Sequence, residues 1–186
     1  MTQRASIDDA VAALRRGGVI AYPTEGVWGL GCDPADEAAV LRLLALKQRE
    51  VDKGLILAAA SNAQLADIVD WNALDANQRT AVLAGWPGAN TWIMPALPHV
   101  PAWITGGRDS VAVRVSAHLV VSALCSAFGG AIVSTSANVS TLPSPRLRSE
   151  LDPRIVAGVD LVTEGETSGL AHATSIRDAR SGSVLR

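Results

Sequence analysis

Cysteine is scarce in this 186-residue chain: Cys32 and Cys125 stand far apart, without the paired spacing of a zinc site or a redox motif. Both read as small buried residues, and no disulfide is expected. Long apolar runs are missing as well. The longest, around 55–60 and 111–115, are far too short to cross a bilayer, so no membrane association is expected. Met1-Thr2-Gln3-Arg4 leads into a polar helical pattern rather than the apolar stretch of a signal peptide, which points to a cytoplasmic protein. Histidine occurs only at His99, His118 and His172, in no metal-ligand spacing, so a protein-held metal is not expected. Each histidine reads as a surface or packing residue, with His118 placed to help a helix begin.

Familiar catalytic devices are also lacking. There is no Gly-x-x-x-x-Gly-Lys-Ser/Thr phosphate loop, no Gly-x-Gly-x-x-Gly dinucleotide turn and no Gly-x-Ser-x-Gly nucleophile elbow. An excess of positive charge is missing too: the net charge of −2 excludes a surface that is basic throughout, as a dedicated nucleic-acid binder would have. Lysine appears only at Lys47 and Lys53, six residues apart, all other basic residues being arginine.

What is present describes an ordinary folded protein. The length suits one domain spanning residues 1–186, and 48% apolar with 18% charged residues can fill a core without disulfides or metal. Ser6 followed by Asp8 and Asp9, with apolar Ile7, Val11 and Leu14 before Gly17-Gly18, predicts a capped amphipathic helix. A strand over 19–22 ends at Pro23, and the glycine-punctuated stretch to Asp33-Pro34 reads as a loop. A second helix over 36–46 delivers Lys47 and Arg49, and a buried strand follows over 55–60. Helices over 62–69, capped by Ser61, and 76–84, capped by Asp75, precede the break at Trp86-Pro87-Gly88.

Strands are expected near 91–94, 111–115, 131–134, 159–163, 174–176 and 183–185. A helix over 117–128 between two of these strands reads as a parallel strand–helix–strand unit, and a short helix ends near 157. The pattern is α/β or α+β: a twisted mixed sheet with flanking helices.

Three polar clusters sit where apolar segments end, and Arg114 is a fourth candidate. Pro23-Thr24-Glu25-Gly26 places a hydroxyl and a carboxylate on a glycine-rich turn, which by itself reads as a capped turn rather than a site. Lys47-x-Arg49 with Lys53 ends a helix, where cations also complement the helix dipole, and both leading cations are expected at an exposed helix end. Ser134-Thr135-Ser136-Ala137-Asn138 crowds hydrogen-bonding side chains behind a buried strand, a pattern that favours a ligand. Arg114 interrupts an apolar strand, and a buried guanidinium needs an anionic partner from the protein or from a substrate. Fixed cations with neutral donors, and few proton-transfer groups, suit the binding and polarisation of a polyphosphate or carboxylate. Mg²⁺ would then arrive with a nucleotide, held by phosphate oxygens and water.

Tyr22-Pro23-Thr24-Glu25 followed by Gly29-Leu30-Gly31, Leu46-Lys47-Gln48-Arg49, Trp86-Pro87-Gly88 with Thr91, 111–115, and 134–138 occur in one order over nearly the whole chain. In this the sequence resembles the YrdC-like family, and within it the short bacterial TsaC-type threonylcarbamoyl-AMP synthases. The family pattern Lys-x-Arg with a distant Ser-x-Asn falls on Lys47, Arg49, Ser136 and Asn138, which the resemblance implies as catalytic. The fold implied is a twisted α/β structure with a concave basic cavity. The implied reaction joins bicarbonate or CO₂ to L-threonine and transfers AMP from ATP, giving threonylcarbamoyl adenylate and pyrophosphate for tRNA threonylcarbamoyladenosine modification by partner proteins. ATP would meet Lys47, Arg49, Ser110, Ser136, Asn138, Ser144 and Arg186. L-threonine would meet Thr24, Lys53, Arg114, Ser134 and Thr174, with Arg114 pairing the carboxylate.

The chain departs from the family pattern in three places. Trp28 stands where Tyr or Phe is usual, Lys53-Gly54 where longer relatives carry His-Pro or Asn-Pro, and Ser140-Thr141-Leu142-Pro143 where Ser-Gly-x-Pro is common. Two other functions compete: a carbamoyl-adenylate-forming enzyme of the hydrogenase-maturation type, and a noncatalytic RNA-binding module whose basic cavity holds RNA weakly through phosphate contacts.

Overall fold

The computed structural model describes residues 5–170 and 174–185. Helix α1 (Ile7–Arg15) starts at a capping box: the Asp9 amide donates to Ser6 Oγ at 3.1 Å, and the Ser6 amide donates to Asp9 Oδ2 at 3.0 Å. Its apolar face meets α5 (Leu119–Phe128), which His118 caps by accepting the Val120 amide at 3.2 Å. Strands β1 (Ile20–Pro23) and β2 (Trp28–Gly31) form an antiparallel hairpin, so the glycine-rich stretch expected as a loop is half strand. Gly29 and Gly31 belong to it because the hairpin lies against Tyr22. A Cβ at Gly31 would fall 2.7 Å from that ring.

Helix α2 (Glu37–Lys47) is capped by Asp36 and closed by Gln48 in the left-handed conformation, φ 53°. Then come β3 (Ile56–Ala59), α3 (Ala76–Ala84), β4 (Asn90–Pro95), the single turn α4 (Ala102–Thr105) and β5 (Ser110–Val115). After α5 come β6 (Ile132–Val133), β7 (Thr135–Ser136), α6 (Pro153–Gly158), β8 (Leu161–Val162) and β9 (Ser175–Asp178). No helix among the described residues is long and apolar enough to cross a membrane.

The strands make two mixed sheets rather than one: β7-β2-β1-β8, and β6-β3-β5-β4-β9. The expected parallel unit does not form. β5 pairs parallel with β3 on one side, while β6 pairs antiparallel with β3 on the other. From β6 the chain passes through Ser134 into β7, which must pair with β2 in the second sheet, and this exit sets the direction of β6. The helix expected over 62–69 shortens to a 3-10 turn (Asn62–Leu65), for Ser61 supplies no cap and Val69 instead bridges to Ala96. The expected strand near 183–185 is a single bridge, Arg177 to Val184.

Two apolar clusters hold this arrangement. One joins Val111, Val113 and Val115 to Leu57, Leu30, Trp28 and the buried face of α2; the other joins α1, α5, Ile20, Tyr22, Ala58 and Ile132. Both cysteines are buried and free, and burial pushes both thiols far above their usual range.

Candidate functional site

Strand alternation opens the site. Along β5, Val111, Val113 and Val115 face the core, and the period of two turns Ser110, Ala112 and Arg114 to the opposite face. Beside Ala112 lie Ile56 of β3 and Ile93 of β4, its register partners, and all three line a cavity of about 350 Å³. Arg114 therefore does not break a core strand. It stands opposite Ala58, where the face covered by α1 and α5 gives way to the cavity.

Arg114 is 4% exposed, and its anionic partner comes from the protein. Arg114 Nη1 donates to Glu25 Oε2 at 2.9 Å and Nη2 donates to Ser134 Oγ at 2.9 Å, while Ser116 Oγ donates to Glu25 Oε1 at 2.6 Å. Burial by itself would raise the Glu25 pKa, but the Arg114 charge and the Ser116 hydroxyl outweigh it and hold the carboxyl below its ordinary value. Glu25 reaches this position from the β1–β2 turn, which Thr24 closes through its amide and hydroxyl, both donating to Val27 O. The Ser168 and Leu170 amides, donating to Thr24 O and Glu25 O, tie the strap before Thr174 to the same turn.

The mouth of the cavity is cationic. Arg49, delivered by the left-handed turn at Gln48, donates from Nη2 to Gly54 O at 3.1 Å. Lys53 follows on a 3-10 turn, and Arg108 projects from the loop before β5. Gly106 allows these rims to meet. Its φ is 65°, and a Cβ there would lie 2.5 Å from Asp52 O and 2.8 Å from Gly54 N. Arg49, Lys53, Arg108 and Arg114 all line the cavity, and among the described residues no carboxylate does.

Thr24, Arg49, Lys53, Ser110, Arg114, Ser134, Ser136, Ser144 and Thr174, all singled out in the sequence, line this one cavity. Thr174 Oγ1 lies 3.2 Å from Thr91 Oγ1. Lys47 and Asn138 are not on the wall. Lys47 was expected at an exposed helix end but is 2% exposed, because the segment after β7 folds over the end of α2. Its ammonium donates to Ser136 O, to Asn138 O at 2.8 Å and to Asn138 Oδ1 at 3.3 Å. Burial, and after it the Arg49 charge, lower its pKa to about 8. Arg186 lies outside the described residues.

Sequence reasoning assigned no role to Glu25, Ser116 or Arg108. Glu25 was visible beside Thr24, but its pairing with Arg114 joins residues 89 positions apart, a contact no local pattern carries. Among the described residues, no group of three or more histidine, cysteine, aspartate or glutamate side chains could hold a metal ion.

Known proteins share both this sequence and this shape. The family described as Sua5, YciO and YrdC, telomere recombination, matches residues 12–186. The chain is 56% identical to the threonylcarbamoyl-AMP synthase of Xanthomonas euvesicatoria over the whole of both chains. It is 60% identical to that of Stenotrophomonas maltophilia over 97% of each. Among solved structures, a variant of P. abyssi Sua5 superposes with a TM-score of 0.89 at 30% identity, over 99% of this chain and 57% of that one. P. abyssi Sua5 complexed with L-threonine superposes at 0.85 with 32% identity, over 92% of this chain and 50% of that one. This chain thus spans all or nearly all of the length of these two synthases but only about half of the P. abyssi chains. With the two mixed sheets and the cavity between them, these matches establish that the chain belongs to the Sua5/YciO/YrdC family.

Proposed function

We propose that this chain is a threonylcarbamoyl-AMP synthase, making L-threonylcarbamoyladenylate and pyrophosphate from L-threonine, bicarbonate or CO₂, and ATP. The single observation that carries the reading is a cavity of about 350 Å³ with four cationic side chains and no carboxylate among its described lining residues. Such a wall favours anions, and both ATP and the threonine carboxylate are anionic.

The chemistry needs little from the protein beyond position and charge. The threonine amine adds to the carbon of CO₂ and loses a proton to water. An oxygen of the resulting carbamate attacks the α-phosphorus of ATP, the bond to the β-phosphate oxygen breaks, and pyrophosphate leaves. Arg49, with Ser110, Ser136, Ser144 and Arg186, is assigned to the nucleotide, where a fixed guanidinium stabilises the charge that builds on the departing pyrophosphate. Thr24, Lys53, Ser134, Thr174 and Arg114 are assigned to threonine. Arginine has five N–H donors, and the bonds to Glu25 and Ser134 leave others for the substrate carboxylate.

Mg²⁺, supplied with ATP, would offset phosphate charge. With no carboxylate on the described wall, phosphate oxygens and water would hold it rather than the protein. The adenylate then passes to partner proteins that modify tRNA, a cytoplasmic setting, and the cationic mouth gives weak, salt-sensitive affinity for RNA.

Pyrophosphate release by the purified protein, with L-threonine and bicarbonate omitted in turn, tests this. Release that requires both supports the synthase. A folded protein that binds RNA but releases none under any combination would return the noncatalytic reading.

A further inference from the structure

We infer that Lys47 is a positioning residue that clasps segment 136–140 to the end of α2, and that the nucleotide phosphates are met by Arg49 and Arg108 of the cavity lining instead. The inference rests on the proposed nucleotide site and reassigns the work within it.

An ammonium has three N–H donors, and Lys47 directs them at three oxygens of one short segment: Ser136 O, Asn138 O and Asn138 Oδ1. The main chain joins the clasp, with the Ser140 amide donating to Lys47 O at 2.8 Å. Asn138 extends it, since Asn138 Nδ2 donates to Leu142 O. From the other side, the Ala137 amide donates to Trp28 O and the Trp28 amide to Pro145 O, each at 2.8 Å. The segment that carries Ser136 into the cavity wall, and leads on to Ser144, is therefore held between α2 and β2.

Turning Lys47 to a phosphate would strip these bonds from a side chain 2% exposed and take their lysine donor from the half-buried Ser136 and Asn138 oxygens. Arg49 and Arg108 already line the cavity. The geometry also explains lysine at this position. A tetrahedral ammonium converges on a tight turn of oxygens, whereas the planar guanidinium fork of arginine fits a flat, bidentate partner.

Because Lys47 and Lys53 are the only lysines, lysine-selective ¹³C/¹⁵N labelling yields two side-chain signals in the intact protein. Their pH titrations are compared with and without saturating Mg²⁺-ATP, threonine and bicarbonate being left out. The expected result is that the Lys47 midpoint, near 8, moves by less than about 0.3 unit on adding ATP. A Lys47 midpoint raised by about one unit or more overturns the inference, because direct phosphate contact favours the charged form.

The K47M variant provides a reading independent of nucleotide. In the free protein, amide exchange over 136–144 should speed up on the order of tenfold, with α1 and α5 unchanged. Unchanged exchange there overturns the clasp. The KM for ATP should rise on the order of tenfold, with kcat altered less than about threefold; a fall in kcat alone overturns the positioning role. If K47M does not fold, the wild-type titration still decides. Should wild type bind no ATP and release no pyrophosphate, the synthase reading fails while the exchange experiment still judges the clasp.

Discussion

Glu25 and Arg114, 89 residues apart in sequence, meet at 2.9 Å behind the cavity wall with both side chains nearly removed from solvent. A buried pair of this kind adds little net stability compared with an apolar replacement, yet losing one partner strands the other charge. The pair therefore does more to fix the guanidinium in place than to hold the fold together.

A double-mutant cycle on this pair should show strong coupling. E25A and R114A are each expected to lower stability by about 3–5 kcal/mol, and the double variant by much less than their sum. Urea denaturation measures all three. In any variant that folds, loss of Arg114 should also raise the threonine requirement more than the ATP requirement, as read by pyrophosphate release.

Acid should act through the same residue. The Glu25 pKa is held below its ordinary value of 4.5, so the native state binds its proton less readily than the unfolded chain does. Its contribution to stability is present above pH 4.5 and is lost as pH falls through the lower native value. In stability measured between pH 7 and pH 3, E25Q should lack this component and show a shallower acid loss than wild type. Parallel curves would remove Glu25 from the acid response.

The cations at the mouth should separate by role. Arg49→Ala is expected to cost roughly 2–4 kcal/mol of transition-state stabilisation, seen in kcat/KM. Arg108 is exposed at the rim, so R108A should leave stability within about 0.5 kcal/mol of wild type and raise the KM for ATP on the order of fivefold. An unchanged KM would make Arg108 a bystander.

Thr141 has φ 74°, in the left-handed region that a β-branched residue disfavours, at the position where the family pattern commonly has glycine. T141G relieves this strain but loosens the unfolded chain, for an expected net gain of about 0.5 kcal/mol. Chemical denaturation checks the sign. A loss would mean that the Thr141 side chain contributes contacts exceeding the strain.

Most of the regular elements were legible in the sequence because their signals are local. Ser6 with Asp9, Asp36 and Asp75 mark helix starts through bonds to amides three residues on, and α1, α2 and α3 begin where those residues fall. β5 follows from its run of valines. The polar clusters were legible too, since hydroxyls and cations at the ends of apolar segments have no core to enter.

What the sequence determined by itself, then, was the α/β character, the starts of the main helices and the side chains from which a polar site would be built. Tertiary structure alone decided that the strands form two sheets, that β6 runs antiparallel to β3, that Lys47 is buried and that Arg114 is matched by Glu25. Each depends on segments dozens of residues apart coming together: β7 must reach β2, and the segment after it must fold over the end of α2. Local propensity is summed over neighbours in the chain, whereas the burial and pairing of a charge depend on neighbours in space.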